Sequence, residues 1–189
     1  GITYVDTGAM YRAAAIFLNR RGIDKDDDKS IEKAVSDMNI TFSNERVLLN
    51  GEDVSKKIRE NDVSKMASEY SANPAVRDKL TALQRQMGKT VSLVMDGRDI
   101  GSNVFKDAKY KFYLPASPEI RAERRYKELK ERGEQIEFGK ILEDIKTRDD
   151  RDMNRKLNPL KIADGAALVD STDINIDEVV EEILSNIEE

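Results

Sequence analysis

The sequence contains neither cysteine nor histidine in its 189 residues. Without cysteine there are no disulfides, thiolate metal sites or cysteine nucleophiles, and this composition fits a reducing compartment. Without histidine there are no imidazole bases, no histidine-dependent triads and few options for zinc. Any chemistry must therefore use carboxylates, guanidinium groups, amines, hydroxyls and the backbone.

Long apolar runs and a positive net charge are missing as well. The longest apolar stretches, such as AAAIFL, are too short to span a bilayer. Lys and Arg total 32 against 37 Asp and Glu, a net charge of −5, which argues against non-specific nucleic-acid binding. The sequence predicts a soluble, cytoplasmic protein without a nucleic-acid or membrane partner, and we expect a monomer.

Strands and helices alternate over much of the chain. Short strands are predicted at 2–5, 91–96, 109–114 and 166–170, with amphipathic helices between them. This order predicts an α/β fold with a mainly parallel sheet. Residues 35–90 interrupt the alternation, so we expect an inserted substrate-binding subdomain there and a core built from 1–34 and 91–189.

The predicted insert contains two turn signals. Residues 39–53, NITFSNERVLLNGED, predict two short strands around a turn. The Asn50-Gly51 pair predicts a second turn directly afterwards.

Polar residues follow two of the predicted strands. VDTG occupies 5–8, with Tyr11 and Arg12 one turn later, and MDGRD occupies 95–99. Because the carboxyl ends of parallel strands meet at one sheet edge, both segments are candidates for a ligand site. The simpler alternatives are helix capping with a surface arginine for the first, and a tight turn with a local ion pair for the second.

The segment FGKILEDIKTRDDRDMNR, 138–155, changes character along one helical face. Apolar residues at 138, 141, 142 and 145 form a stripe that continues to Arg148, Asp152 and Arg155. Charge on the core-facing side indicates a polar cleft, where arginines bind phosphate oxygens in pairs and Asp152 orients them or accepts a ligand hydroxyl. The alternative is a helix that extends beyond the core and carries ion pairs.

A second arginine group lies on the helix predicted at 118–133 and at its end. Its members are Arg121, Arg124, Arg125 and Arg132. Glutamates between them favour a solvated ion-pair face for at least half of the group. If the segment moves, however, one guanidinium could reach a transferring phosphoryl group.

The sequence resembles bacterial cytidylate kinase along essentially its whole length, in YVDTGAMYRA, NGEDVSKKIR, SEYSANPAVR, VMDGRDIGSNVF and RDDRDMNR. The resemblance implies a P-loop nucleoside-monophosphate kinase fold, with a parallel five-stranded sheet, an enlarged nucleotide-monophosphate-binding insert at 35–90 and a mobile lid at about 120–140. The implied reaction transfers the γ-phosphoryl group of ATP, with Mg²⁺, to CMP or dCMP and gives CDP or dCDP.

The resemblance also implies which residues recognise the base. Thr7 corresponds to a hydroxyl residue near the cytosine, and Ser68, Arg77 and Asp99 correspond to the groups that read its edge. Cytosine requires both donors and acceptors, which these side chains supply. Such a site rejects analogues that leave those groups unpaired.

Further residues correspond to the phosphate-binding part of the family's site. Tyr11 and Arg12 resemble the helix pair near the acceptor phosphate, and Arg98 and Arg155 the clamps on that phosphate. Arg124 is the choice among the lid arginines. With Arg98 and Arg155 it is expected to be catalytic.

Arg148 and Asp152 match the pair that meets the sugar hydroxyls in the family. Phosphoryl transfer depends on positioning and cations more than on a strong base, so the lack of histidine is compatible with it.

The family's glycine-rich phosphate loop, GxxxxGK[ST], does not occur in the 189 residues. Its backbone N–H groups, lysine and hydroxyl hold the donor triphosphate and Mg²⁺. We therefore expect mainly the acceptor half of the site here, impaired transfer, and a natural protein with about 25–30 more residues at its start, as a strand–loop–helix unit. The alternatives are a nucleotide-binding module without kinase activity and a kinase for another small acceptor.

Overall fold

The structure, a computed structural model, describes residues 1–43 and 46–187. The first turn predicted in the insert, at 44–45, lies outside the described residues. The chain forms two compact units, Gly1–Ile100 and Gly101–Glu189. The predicted division into a core and an insert at 35–90 stays a prediction.

The first unit contains five strands and four α-helices within the described residues. They are β1 (Thr3–Asp6), α1 (Thr7–Arg20), α2 (Asp28–Val35), β2 (Ile40–Ser43), β3 (Arg46–Leu49), β4 (Glu52–Asp53), α3 (Asn61–Tyr70), α4 (Pro74–Gly88) and β5 (Leu93–Asp96), with a short 3₁₀ helix at Lys57–Arg59.

In the second unit the described elements are β6 (Phe112–Tyr113), α5 (Pro118–Glu131), α6 (Phe138–Asn154), β7 (Ala167–Leu168) and α7 (Ile176–Ser185). A single π turn covers Ile100–Val104. No helix in the described part of the chain is both long and apolar enough to cross a bilayer.

Parallel pairing, as predicted, occurs in both units. In the first unit β1 pairs with β5, and the register sets Asp6 opposite Asp96 at the carboxyl ends of the strands. In the second unit β6 pairs with β7. β1 has the predicted length of four residues and lies one position later than predicted. β5, β6 and β7 are shorter than predicted, because the two pairings extend over only four and two residues, respectively.

Helix α1 organises the core of the first unit. Asp6 caps it by accepting a hydrogen bond from the backbone N–H of Ala9 at 2.9 Å, so the helix begins directly after the strand. An unbroken run from Ala13 to Leu18 is buried. Burial on nearly all sides means that α1 is a central helix against which α3 and β3 pack.

The antiparallel sheet β2-β3-β4 contains the second predicted turn. Asn50 and Gly51 connect β3 to β4 with φ values of 49° and 86°. Two consecutive positive φ values are what a two-residue hairpin requires, and Asn-Gly tolerates them best. The turn prediction is confirmed.

The second unit has its own small core between α5 and α6. Ala122, Leu129 and Ile141 are buried there. The rings of Tyr126 and Phe138 meet edge to face, with centroids 6.0 Å apart. The apolar stripe predicted on the 138–155 segment therefore faces a neighbouring helix.

Leu18→Ala should lower the free energy of unfolding by about 2–5 kcal/mol, because the fully buried side chain leaves a cavity. Urea unfolding followed by circular dichroism measures the change. Leu184, which is 59% exposed, is the matched control, and its alanine variant should stay within about 0.5 kcal/mol of wild type. Equal losses in both variants would contradict the assigned core.

Candidate functional site

The hydroxyl of Thr7 links the ends of β1 and β5. Thr7 is buried, and its Oγ1 donates to the backbone carbonyl of Asp96 at 2.7 Å. A Cβ placed on Gly97 would lie 2.3 Å from that Oγ1. The close approach of Thr7 to the backbone after β5 therefore requires glycine at position 97.

Arg12 is held by the residue that caps its own helix. Its Nη2 lies 2.7 Å from Oδ2 of Asp6, whose other oxygen accepts from the helix N-terminus. The side chain of Arg12 is 22% exposed. One carboxylate thus orients both the helix and a guanidinium that can still meet an anion.

Asp96 is the second carboxylate at this sheet edge. Protein atoms around it withdraw the carboxylate from water and raise its pKa, and the charge of Asp6 raises the pKa further. A hydrogen bond with Tyr4 and the charge of Arg98 act in the opposite direction. Asp96 is an exposed residue at the end of β5, so solvent screening keeps the shift in its pKa small.

Tyr4 responds to the same carboxylates. Its partial withdrawal from water, followed by the charges of Asp96 and Asp6, raises the pKa of its hydroxyl to about 12. Tyr4 therefore stays a neutral hydrogen-bond donor near neutral pH.

Arg77 is the most deeply buried cation of the described residues. Its side chain is 1% exposed, and its Nη2 donates to Oδ2 of Asp99 at 2.7 Å. Nη1 donates to the carbonyl of Ser71 at 3.3 Å, and the guanidinium lies 5.5 Å from the centre of the Tyr11 ring. These contacts compensate for removing the charge from water.

One N–H of this guanidinium remains open. Among the described residues, no acceptor lies within hydrogen-bond distance of Arg77 Nε. A buried donor without an acceptor is costly.

Ser68 and Arg98 complete the predicted residues of the first unit. Ser68 is half-buried on α3, and its carbonyl accepts from the Ser71 hydroxyl at 2.9 Å. Arg98 follows β5, is exposed and lies near enough to lower the pKa of Asp96.

The second unit brings Arg148, Asp152 and Arg155 together at the end of α6. Asp152 is buried, with Oδ1 3.1 Å from Nη1 of Arg155 and Oδ2 3.8 Å from Nε of Arg148. Arg155 follows the helix, and its Nε donates to the carbonyl of Asn158 at 2.7 Å. The three charged residues that continue the apolar stripe therefore contact one another, and their i,i+3 and i,i+4 pairs fit both the predicted polar cleft and the alternative of an ion-paired helix end.

The four residues of the second arginine group have different hydrogen-bond and ion-pair partners. Arg125 and Arg132 both pair with Glu128, as expected for a solvated ion-pair face. Arg124 donates instead to the carbonyl of Ser171. Arg121 makes two bonds, of 3.0 and 2.6 Å, to Asp149 of α6, a link between helices that sequence spacing could not identify.

Comparison with known proteins matches the entire chain to one family, described as Cytidylate kinase, over residues 1–189. The chain belongs to the cytidylate kinase family. The resemblance drawn from the sequence is confirmed. The α/β architecture of the chain, with its parallel strand pairing, fits a P-loop nucleoside-monophosphate kinase fold. Membership of this family makes the chain a nucleotide-binding transferase of the kinase type.

Individual relatives extend this agreement. A cytidylate kinase of Caldanaerobacter subterraneus subsp. tengcongensis is 46% identical over 183 residues, which are 97% of this chain and 82% of the relative. One of Thermosipho melanesiensis is 43% identical over 189 residues, 100% of this chain and 86% of the relative. One of Clostridium botulinum is 43% identical over 182 residues, 96% and 84% of the two chains.

Three residues that contact the predicted site residues are not themselves among the predicted site residues. Asp6 orients Arg12, Gly97 admits Thr7, and Ser71 contributes a carbonyl to Arg77. The first two lie inside the strand-end segments that the sequence singled out. The third acts through its backbone and has no side-chain signature.

Residues 1–43 and 46–187 contain no group of three or more carboxylates arranged to hold a metal ion. The Asp6–Asp96 pair supplies two carboxylates at the sheet edge. We assign no metal ligands on this basis.

Gly97→Ala should destabilise the protein by about 1–3 kcal/mol, because the new methyl group forces Thr7 to rotate away from Asp96. Urea unfolding measures the loss. In Gly139, on α6, an added Cβ meets nothing within 4 Å, so Gly139→Ala should be neutral or slightly stabilising. Wild-type stability of the Gly97 variant would show that the close approach is absent.

Asp96→Asn should stabilise the protein at pH 7 relative to wild type. Folding raises the pKa of Asp96 above 3.8, so the unfolded chain loses this proton at a lower pH than the folded protein does. The stability that the protonated form contributes is therefore lost as the pH rises through the pKa of the folded protein. The advantage of the variant should therefore vanish below about pH 3.8. Urea midpoints at pH 3 and pH 7, with exposed Asp26→Asn as the control, test the sign. A variant less stable at pH 7 would contradict it.

Proposed function

We propose that this protein binds CMP or dCMP and transfers the γ-phosphoryl group of ATP to the bound nucleotide, giving CDP or dCDP. The observation that carries the proposal is the buried Arg77–Asp99 pair with its open Nε–H. Family membership supports the same reaction.

The pair has the donors and acceptors that a cytosine edge requires. Cytosine presents ring acceptors beside an exocyclic amino donor, which match the open N–H of Arg77 and a carboxylate oxygen of Asp99. We assign Ser68 and Thr7 to the same base. Uracil presents a carbonyl where cytosine has its amino group, so it would set one acceptor against another.

In the first unit, Tyr11, Arg12 and Arg98 are assigned to the acceptor phosphate. Arg12 and Arg98 follow the ends of β1 and β5, where their positive charges offset the negative charges of Asp6 and Asp96. A phosphate there would gain charge-assisted hydrogen bonds. The Tyr11 ring also supports Arg77, so α1 serves base and phosphate binding together.

In the second unit, Arg148 and Asp152 are assigned to the sugar hydroxyls and Arg155 to the acceptor phosphate. Asp152 fixes Arg155 before any ligand is present, and pre-oriented charge costs no reorganisation during reaction. Arg124 is assigned to the transferring phosphoryl group. It would first have to leave the carbonyl of Ser171.

The phosphoryl donor in this reaction is the Mg²⁺ complex of ATP, which is a substrate. The 189 residues lack the GxxxxGK[ST] sequence, so we propose that they hold mainly the acceptor half of the site and transfer inefficiently by themselves. The same observation favours a second candidate, a nucleotide-binding module without kinase activity.

Nucleotide specificity distinguishes these functions. The chain as given, and the chain preceded by a strand–loop–helix segment with GxxxxGK[ST], should be assayed for ADP formation with ATP, Mg²⁺ and CMP, UMP or AMP. We expect weak or no turnover for the first and turnover with CMP for the second. CMP binding without ADP from the extended chain would favour the module, and a preference for AMP would contradict the cytosine assignment.

Arg155→Ala should reduce kcat/KM for CMP in the extended chain by an amount equivalent to about 2–4 kcal/mol, the scale for one preorganised charge-stabilising donor. Arg132→Ala is the matched control, because Arg132 pairs with Glu128 on the helix surface. Kinetics of the Arg155 variant equal to those of the control would assign the Asp152–Arg155 pair to structure alone.

A further inference from the structure

The corner between α3 and α4, residues 70–73, touches Arg77 through its backbone. Ser71 accepts from Nη1 of Arg77 at 3.3 Å, and the carbonyl of Asn73 accepts from the backbone N–H of Arg77 at 3.2 Å. The α3–α4 corner therefore holds Arg77 at two points, its guanidinium and its backbone N–H.

Asn73 also fixes where α4 begins. Its Oδ1 accepts from the backbone N–H groups of Ala75 and Val76, at 2.9 and 3.4 Å. This is a helix cap, and Pro74 in the first turn reinforces it. Arg77 lies one turn further along the same helix.

Two long-range hydrogen bonds attach the corner to the segment 23–28 before α2. Nδ2 of Asn73 donates to Oδ1 of Asp28 at 2.7 Å, and the hydroxyl of Tyr70 donates to the carbonyl of Ile23 at 2.6 Å. Asn73 and Tyr70 are 6% and 7% exposed. Asp28 is exposed and Ile23 half-buried, so each bond is shielded from water on the side of its donor, and burial of the donor strengthens it relative to a fully exposed contact.

We propose that Asn73, Asp28 and Tyr70 are positioning residues for nucleotide specificity, which act by holding the corner that orients Arg77. The inference rests on the proposed function, because it takes Arg77 as the residue that reads the base. Asp28 and Tyr70 have no assigned contact with the nucleotide. Displacing the corner moves the Ser71 carbonyl and the start of α4, and recognition by fixed hydrogen bonds is sensitive to such small shifts.

A stabilising role alone would have a different signature. Asp28 is the first residue of α2, where a carboxylate also favours the helix dipole. Loss of that effect would weaken binding of every nucleotide equally. A positioning role instead changes the ratio of affinities for CMP and UMP.

The test is calorimetric titration of the full 189-residue chain with CMP and with UMP. Asp28→Ala removes the acceptor of the Asn73 bond without altering the cap of α4. We expect CMP affinity to fall roughly 3- to 10-fold, the scale of one hydrogen bond, with UMP affinity nearly unchanged. Asp28→Asn keeps an acceptor oxygen and should restore the ratio, while Asp26→Ala removes a nearby exposed carboxylate and should leave it unchanged.

Tyr70→Phe removes only the second attachment and should lower the CMP-to-UMP ratio in the same direction. A ratio that stays at the wild-type value in both Asp28→Ala and Tyr70→Phe overturns the inference, as does an equal loss for both nucleotides. A wild-type chain without preference for CMP would instead overturn the proposed function, and the inference with it.

Discussion

The buried ion pair of Arg77 and Asp99 joins the parts of the first unit that carry its candidate site. The pair connects α4 to the loop after β5, with the Tyr11 ring of α1 beside it. Two charges at 1% and 7% side-chain exposure are expensive to bury. Their mutual bond and the Ser71 carbonyl offset that cost in part, since the Nε–H of Arg77 is buried without an acceptor among the described residues.

The strand ends beside this pair show a second electrostatic constraint. Parallel pairing sets Asp6 opposite Asp96, and their proximity contributes to the raised pKa of Asp96. Arg12 and Arg98 moderate the repulsion. An edge with both carboxylates and guanidinium groups suits a nucleotide, which combines an anionic phosphate with neutral hydrogen-bonding groups.

Sequence patterns predicted the elements that depend on local physics. The apolar stripe from Phe138 marked where α6 begins, and the stripe led to Asp152 and Arg155. Roles that arise only from folding were not predictable. The carbonyl of Ser71 has no sequence signal, and the Asn73–Asp28 bond joins residues 45 positions apart. The roles proposed for Ser68 and Arg98 come from the family resemblance alone, because no periodicity indicates them.

The central claim is that Arg77 reads the pyrimidine through its open N–H. The most direct test is to follow the side-chain Nε–H resonance of Arg77 by NMR, assigned with Arg77→Lys, during titration with CMP and with UMP. If Arg77 reads the base, this resonance shows a large, saturable shift with CMP and a much smaller one with UMP. An Arg77 resonance that does not move while CMP demonstrably binds would contradict it.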